Sequence, residues 1–161
     1  MSTNPYAPAL GTRDAREVIE TTPLELHRLA GRIGAARMTT PRAPGKWSTR
    51  DIIAHLADCE IVFAYRLRQA LADDHHVIQP FDQDKWAAPY ATYDANEALL
   101  LFEAIRKWNV ALLKTVTREQ LSRKVTHPER GEMTFETIVE TMGGHDMHHL
   151  KQLEEIANKH V

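Results

Sequence analysis

Residues 48–71 read STRDIIAHLADCEIVFAYRLRQAL. Ser48-Thr49-Arg50-Asp51 opens this stretch as a capping box, in which the serine hydroxyl and the carboxylate three residues on each take an otherwise unpaired backbone N–H. From there Ile52, His55 with Leu56, Cys59, Val62 with Phe63, Leu67 and Ala70 recur three and four residues apart. That period is one face of an α-helix running to about Leu71. A helix with a single apolar stripe needs other elements to cover it.

Three further stretches supply the cover. Upstream, residues 1–11 carry Pro5, Pro8 and Gly11 and read as an irregular lead-in, with a short helical segment over roughly 12–20. Thr22-Pro23-Leu24-Glu25 reads as a second capping box with proline at the first helical position, where its missing donor does no harm. Leu24, Leu26, Leu29 and Ile33 carry that helix to about Met38, before Pro41, Pro44 and Gly45 break the chain. Downstream, residues 73–93 show neither helical nor strand period and form a long loop, the kind that more often serves as a lid than as a simple connection. Asp94 with Glu97 caps the next helix, whose apolar face reads Ala98, Leu101 with Phe102, Ile105, Trp108 and Leu112. After a short helical piece and a turn at 127–131, Thr134 caps the last helix, with Phe135, Ile138, Met142, His145, His149, Leu153 and Ile156 on one side. No strand-like alternation of useful length occurs. The prediction is an all-α protein, an antiparallel four-helix bundle with a long loop between its second and third helices, in one domain spanning 1–161.

Composition narrows the function. The 161 residues carry 20 Lys plus Arg against 22 Asp plus Glu, so there is no electrostatic footprint for nucleic acid. No run of 18 apolar residues occurs to span a membrane. The opening MSTNPYAPALGT has neither the basic start nor the apolar stretch of a signal peptide. Cys59 is the single cysteine, which excludes an intramolecular disulfide and any multi-cysteine zinc cluster. The expectation is a cytoplasmic protein with neither nucleic acid nor membrane as partner.

The chemistry concentrates in His145-Asp146-Met147-His148-His149. Motifs such as HExxH, GxGxxG, GxSxG and CxxC are absent, and so is the Glu-x-x-His pair of di-iron bundles. His145 and His149 lie one helical turn apart on the stripe that carries Ile138, Met142 and Ile156. Two imidazoles at that separation converge on one metal, and buried there without partners each would be costly. His55, on the apolar stripe of the second helix, is the third candidate, weighed against a hydrogen-bonded core histidine. Three histidines leave a coordination position open, as catalytic sites do. All-imidazole ligation suits a divalent transition metal, zinc or nickel before iron or manganese. Cys59, one turn past His55, is read as a small buried hydrophobe ahead of a fourth ligand. His148 points about 100° away from His149, and His75 and His76 read as solvated. Asp58, Glu60, Asp146 and Arg106 are more simply ion-paired or solvated than catalytic. Gly143-Gly144 either admits a neighbouring backbone or is a local irregularity. With ordinary imidazole pKa values, the metal should leave by about pH 5.

Pro44-Gly45-Lys46-Trp47-Ser48, His55-Leu56-Ala57-Asp58-Cys59-Glu60 with Arg66, Phe81 to Trp86, Arg106, and Gly144 to Gln152 together resemble the DinB-like superfamily of damage-inducible and YfiT-type metalloenzymes. The resemblance spans about residues 15 to 157. It implies a four-helix bundle, a divalent metal on His55, His145 and His149, and frequent homodimers. Characterised members include thiol S-transferases and thiol-dependent isomerases, so it also implies a small-molecule substrate such as a low-molecular-weight thiol, with S-transferase or hydrolase chemistry. The rival readings are a non-catalytic metal- or ligand-binding dimeric bundle and bis-histidine haem ligation, in which the third histidine would be redundant.

Overall fold

The computed structural model describes residues 3–159. In chain order it contains α1 (Ala7–Leu10), α2 (Ala15–Ile33), α3 (Thr49–Ala72), α4 (Gln83–Ala87), α5 (Ala95–Leu113), α6 (Arg118–Leu121), the strands β1 (Lys124–His127) and β2 (Gly131–Thr134), and α7 (Phe135–Asn158). Helices α2, α3, α5 and α7 form the four-helix bundle. No helix among the described residues is long and apolar enough to cross a membrane.

The order of the bundle is not that of a simple up-and-down hairpin stack. α2 packs on α7 and α5, and α3 on α5 and α7, so α2 stands diagonal to α3 and α5 to α7, while the consecutive pair α3 and α5 are neighbours. Thr22 meets Asp146 and Arg32 meets Asn158, which sets α2 and α7 parallel. Glu60 meets Arg106 and Arg68 meets Asn109, which sets α3 and α5 parallel as well. His27 on Glu103 and Glu20 on Lys114 show that α2 runs against α5. The antiparallel relation therefore holds between the two pairs and not within them. The long connection from α3 to α5 makes the parallel pair possible, because the chain must return the length of the bundle.

Three expectations need correction. The helix expected from Thr22 starts instead at Asp14, whose carboxylate accepts from the N–H groups of Arg16 and Glu17, and it runs unbroken through Pro23. Proline there removes the donor that the Ile19 carbonyl would receive. That carbonyl is satisfied by Arg106 Nη1 at 2.8 Å, so a side chain from another helix mends the break. The buried face of α5 is Ala98, Leu99, Phe102, Arg106, Asn109 and Leu113. Leu101 and Trp108, assigned to the core from their period, are exposed by 45% and 69%. The period misled because two of the buried positions are polar. Finally, residues 124–134 form an antiparallel hairpin pairing Lys124 with Thr134 and His127 with Gly131. Four-residue strands are too short to show alternation. Its three-residue loop closes on Gly131 at φ 82°, the left-handed position such loops require.

Other segments are more ordered than expected. The lead-in over 1–11 contains the helical turn α1, which packs on α7 and buries Leu10. The loop over 73–93 contains α4 and is pinned to the hairpin, with Ile78 N–H donating to the Thr126 carbonyl and Thr126 N–H to that of His76. Two apolar clusters fill the bundle. One gathers Phe63, Leu67, Phe135, Ile138 and Met142, the other Leu26, Ile53, Leu56, Phe102 and Leu153. Buried polar groups, His55, Glu60, Arg106, Asn109, His145, Asp146 and His149, lie on the same helices.

Candidate metal centre

α3 and α7 each turn a buried histidine face toward the other. His55 Nε2 and His145 Nε2 stand 3.1 Å apart. The His149 ring centroid lies 4.8 Å from that of His55 and 4.5 Å from that of His145. Cys59, one turn beyond His55, brings its Sγ to 3.5 Å from His55 Nε2. The donor atoms of His55, Cys59 and His145 all lie within 4.8 Å of one another. Two nitrogens bound at ~2.0–2.1 Å to one tetrahedral metal sit roughly 3.3 Å apart, and a nitrogen and a sulfur roughly 3.6 Å. The observed spacings fall beside both values. The donor set fits a transition metal.

The electrostatics agree. Burial, with a contribution from His148, takes His55 from its ordinary 6.5 down to about 4. Burial and the nearby His55 take His149 to about 3, against the opposing hydrogen bond to Gln152. Burial, then His149 and His55, hold His145 well below 6.5. All three are therefore neutral near pH 7, the form in which imidazole binds a metal. Burial and Asp58 push the Cys59 thiol up.

Neighbouring side chains set the rings. Gln152 Oε1 lies 2.8 Å from His149 Nδ1 and accepts its proton, which leaves the Nε2 lone pair as the ligating one. Trp47 covers the cluster from outside α3, with its ring 4.7 Å from His55 and stacked on His149 at 6.3 Å. Tyr6 packs edge-on against His145 at 5.1 Å. Gly144 makes that approach possible, since a Cβ there would stand 2.5 Å from the Tyr6 carbonyl oxygen. Gly144 thus admits the N-terminal segment and Gly143 the start of α2 at Ala15, rather than marking an irregularity.

Beneath the histidines lies a buried ion network. Arg106 holds Glu60 through Nε at 3.0 Å and Nη2 at 2.8 Å, and Asp146 through Nη1 at 2.6 Å. Asn109 Nδ2 donates to Glu60, and the Thr22 hydroxyl to Asp146. Burial pulls the guanidinium down, yet Asp146 and Glu60 outweigh it and raise Arg106 above its ordinary value. Asp146 follows His145 directly, so this network fixes the helix segment that carries the cluster.

The structure thus brings the donor atoms of His55, Cys59 and His145 together, with the His149 ring packed against both histidines. His148 is exposed, its Nε2 3.1 Å from Gln152, and stands outside the cluster. His75 is exposed as expected, but His76 is buried beneath Tyr65. Asp58 accepts from the Tyr90 hydroxyl at 2.8 Å. Sequence reasoning assigned no role to Gln152, Trp47, Tyr6 or Asn109. Only Pro23 carried a signal, because a proline inside a helix leaves one carbonyl needing a distant donor.

The profile of the DinB superfamily matches residues 19–153. YfiT of Bacillus subtilis, whose name proposes a metal-dependent hydrolase, is 27% identical over 146 residues, covering 89% of this chain and 82% of the relative. A protein of Oceanobacillus iheyensis whose name makes the same proposal is 28% identical over 137 residues, covering 84% and 79%. The solved structure of Bacillus subtilis YfiT, described as having an unusual four-helix bundle topology, superposes with a TM-score of 0.83 at 26% identity, covering 90% of this chain and 85% of that one. A matching profile over most of the chain, on a four-helix bundle with a buried histidine cluster between α3 and α7, makes this chain a member of the DinB superfamily.

Proposed function

We propose that this chain is a metal-dependent enzyme whose divalent ion, zinc or nickel, is held by His55, His145 and His149. The observation that carries the reading is the pair of Nε2 atoms 3.1 Å apart, buried, on rings that stay neutral at pH 7. A metal bound there supplies a Lewis acid that lowers the pKa of a coordinated water or thiol toward neutrality. The chain's own groups do the rest. Gln152 keeps the His149 proton on Nδ1, Trp47 and Tyr6 shield the imidazoles from bulk water, and the Arg106 network holds α7 in register. The reaction is thiol transfer or hydrolysis on a small molecule.

Protein purified without a His tag and reloaded with metal should hold about one equivalent, and His145→Ala should hold less than a tenth of that. Loading with cobalt(II) reads the ligands directly. Three-histidine ligation gives visible bands without a strong thiolate charge-transfer band in the near ultraviolet. Such a band, lost in Cys59→Ser, would put the sulfur in the ligand set. A screen of low-molecular-weight thiols with electrophilic acceptors separates the enzyme from a passive binder.

Homodimerisation belongs to the same reading. Leu101 and Trp108, two turns apart on α5, offer exposed apolar surface for a second copy to cover. Light scattering at tens of micromolar should return twice 18.3 kDa, and Trp108→Glu should return the single-chain mass.

A further inference from the structure

A cavity of about 170 Å³ opens beside the histidine cluster, lined by Cys59 and His145 and by Arg66, His127 and Arg130. By the ~30 Å³ that a water occupies, it holds about half a dozen heavy atoms. Its lining is cationic, with Arg66 and Arg130 both on it. Arg66 donates from Nη2 to the Gln79 carbonyl at 3.1 Å and lies 5.9 Å over the Phe81 ring, but its Nε is sealed from solvent with no hydrogen-bond partner. Neither Arg66 nor Arg130 forms an ion pair among the described residues, so no carboxylate of the protein offsets the charge they bring to this lining. Arg130 nevertheless sits close enough to Arg66 to act on its charge. The hairpin loop that ends on Gly131 holds it there. His127 accepts the Glu129 N–H on Nδ1 at 3.2 Å, so the proton of the neutral ring is on Nε2. Glu129, the one carboxylate on the lining, is exposed.

Two guanidiniums lining one small cavity, with a buried N–H left unpaired, are a costly arrangement unless an anion completes it. A guanidinium presents paired donors that match a carboxylate two-for-two. We propose that this cavity is a carboxylate subsite: a small-molecule substrate docks a carboxylate on Arg66 and Arg130 and lays its reacting group against the histidine cluster. As an account of the substrate it rests on the proposed metal-dependent activity, but the binding itself needs no metal. The cavity's size limits the anchored portion to a short-chain acid.

The test therefore uses metal-free protein, titrated with succinate, with neutral succinamide and with inorganic phosphate, followed by backbone amide NMR. Succinate should shift signals around Arg66 and Arg130 saturably, and succinamide should bind at least about tenfold more weakly. Arg66→Gln and Arg130→Gln should each weaken succinate about tenfold or more, and Arg28→Gln, on a distant ion pair, should not. Arg130 is half-buried on an otherwise exposed loop, so its variant tests the subsite even where Arg66→Gln does not fold. Equal binding of succinate and succinamide, or binding indifferent to Arg130→Gln, overturns the proposal. Phosphate binding tenfold tighter than succinate overturns the carboxylate assignment. His149→Ala, outside the cavity's lining, should retain succinate binding while losing metal, so the subsite and the metal reading fail separately.

Discussion

Replacing Arg106 by Met should destabilise the protein by about 3–5 kcal/mol at neutral pH, the usual cost of stranding buried charges. That is a large part of the ~5–15 kcal/mol that holds a domain together. The guanidinium serves Glu60, Asp146 and the Ile19 carbonyl freed by Pro23, so three acceptors on three helices lose their donor at once. The pH dependence identifies the cause. Burial already pushes the Glu60 carboxyl up despite Arg106, and without the arginine it rises further. An acid whose folded pKa exceeds its unfolded ~4.3 loses stability as pH rises, so the deficit should be greatest near neutrality and shrink on acidification. Urea denaturation followed by circular dichroism reads both. A deficit under about 1 kcal/mol, or one independent of pH, would show that the carboxylates find other partners.

Metal should raise the melting temperature by roughly 10 °C at about pH 8, since free metal a thousandfold above Kd adds about 4 kcal/mol and a chain of this size gains a few degrees per kcal/mol. Ordinary imidazoles would surrender the metal by about pH 5. Here the folded rings of His55 and His149 titrate at about 4 and about 3, so protons compete later. The difference between loaded and metal-free protein should persist through about pH 5 and close toward pH 4. Both forms meanwhile lose stability as pH falls below the unfolded ~6.5, because depressed histidines contribute only while the unfolded chain is also neutral. His149→Ala should abolish most of the metal-linked rise, and exposed His148→Ala should leave it. Equal losses in the two variants would show that α7 faces the other way.

The four helices and the histidine faces were legible because apolar side chains recur along them and because caps such as Ser48 and Thr134 mark their starts. His55, His145 and His149 share those apolar faces, so period alone directed them inward. What failed did so for local reasons. The buried face of α5 was hidden because Arg106 and Asn109 occupy it, and hydropathy cannot distinguish an arginine paired with two carboxylates from one in water. Thr22-Pro23 imitated a helix start because the donor that repairs the Ile19 carbonyl comes from residue 106. The bundle's order was hidden as well, since no local pattern records which helix lies diagonal to which.

That order has a kinetic side. Thr22 and Asp146 are 124 residues apart along the chain, and Arg32 and Asn158 are 126 apart. Bundles built from consecutive hairpins close short loops first and fold within microseconds to milliseconds. Here α2 finds α7 only by closing nearly the whole chain, with the entropy of that loop lost before its contacts form. This bundle should fold more slowly than an up-and-down bundle of equal length, with a contact order nearer that of mixed α/β domains. Two of its three candidate metal ligands lie on the last helix to be synthesised, so the site is completed only when the fold itself closes.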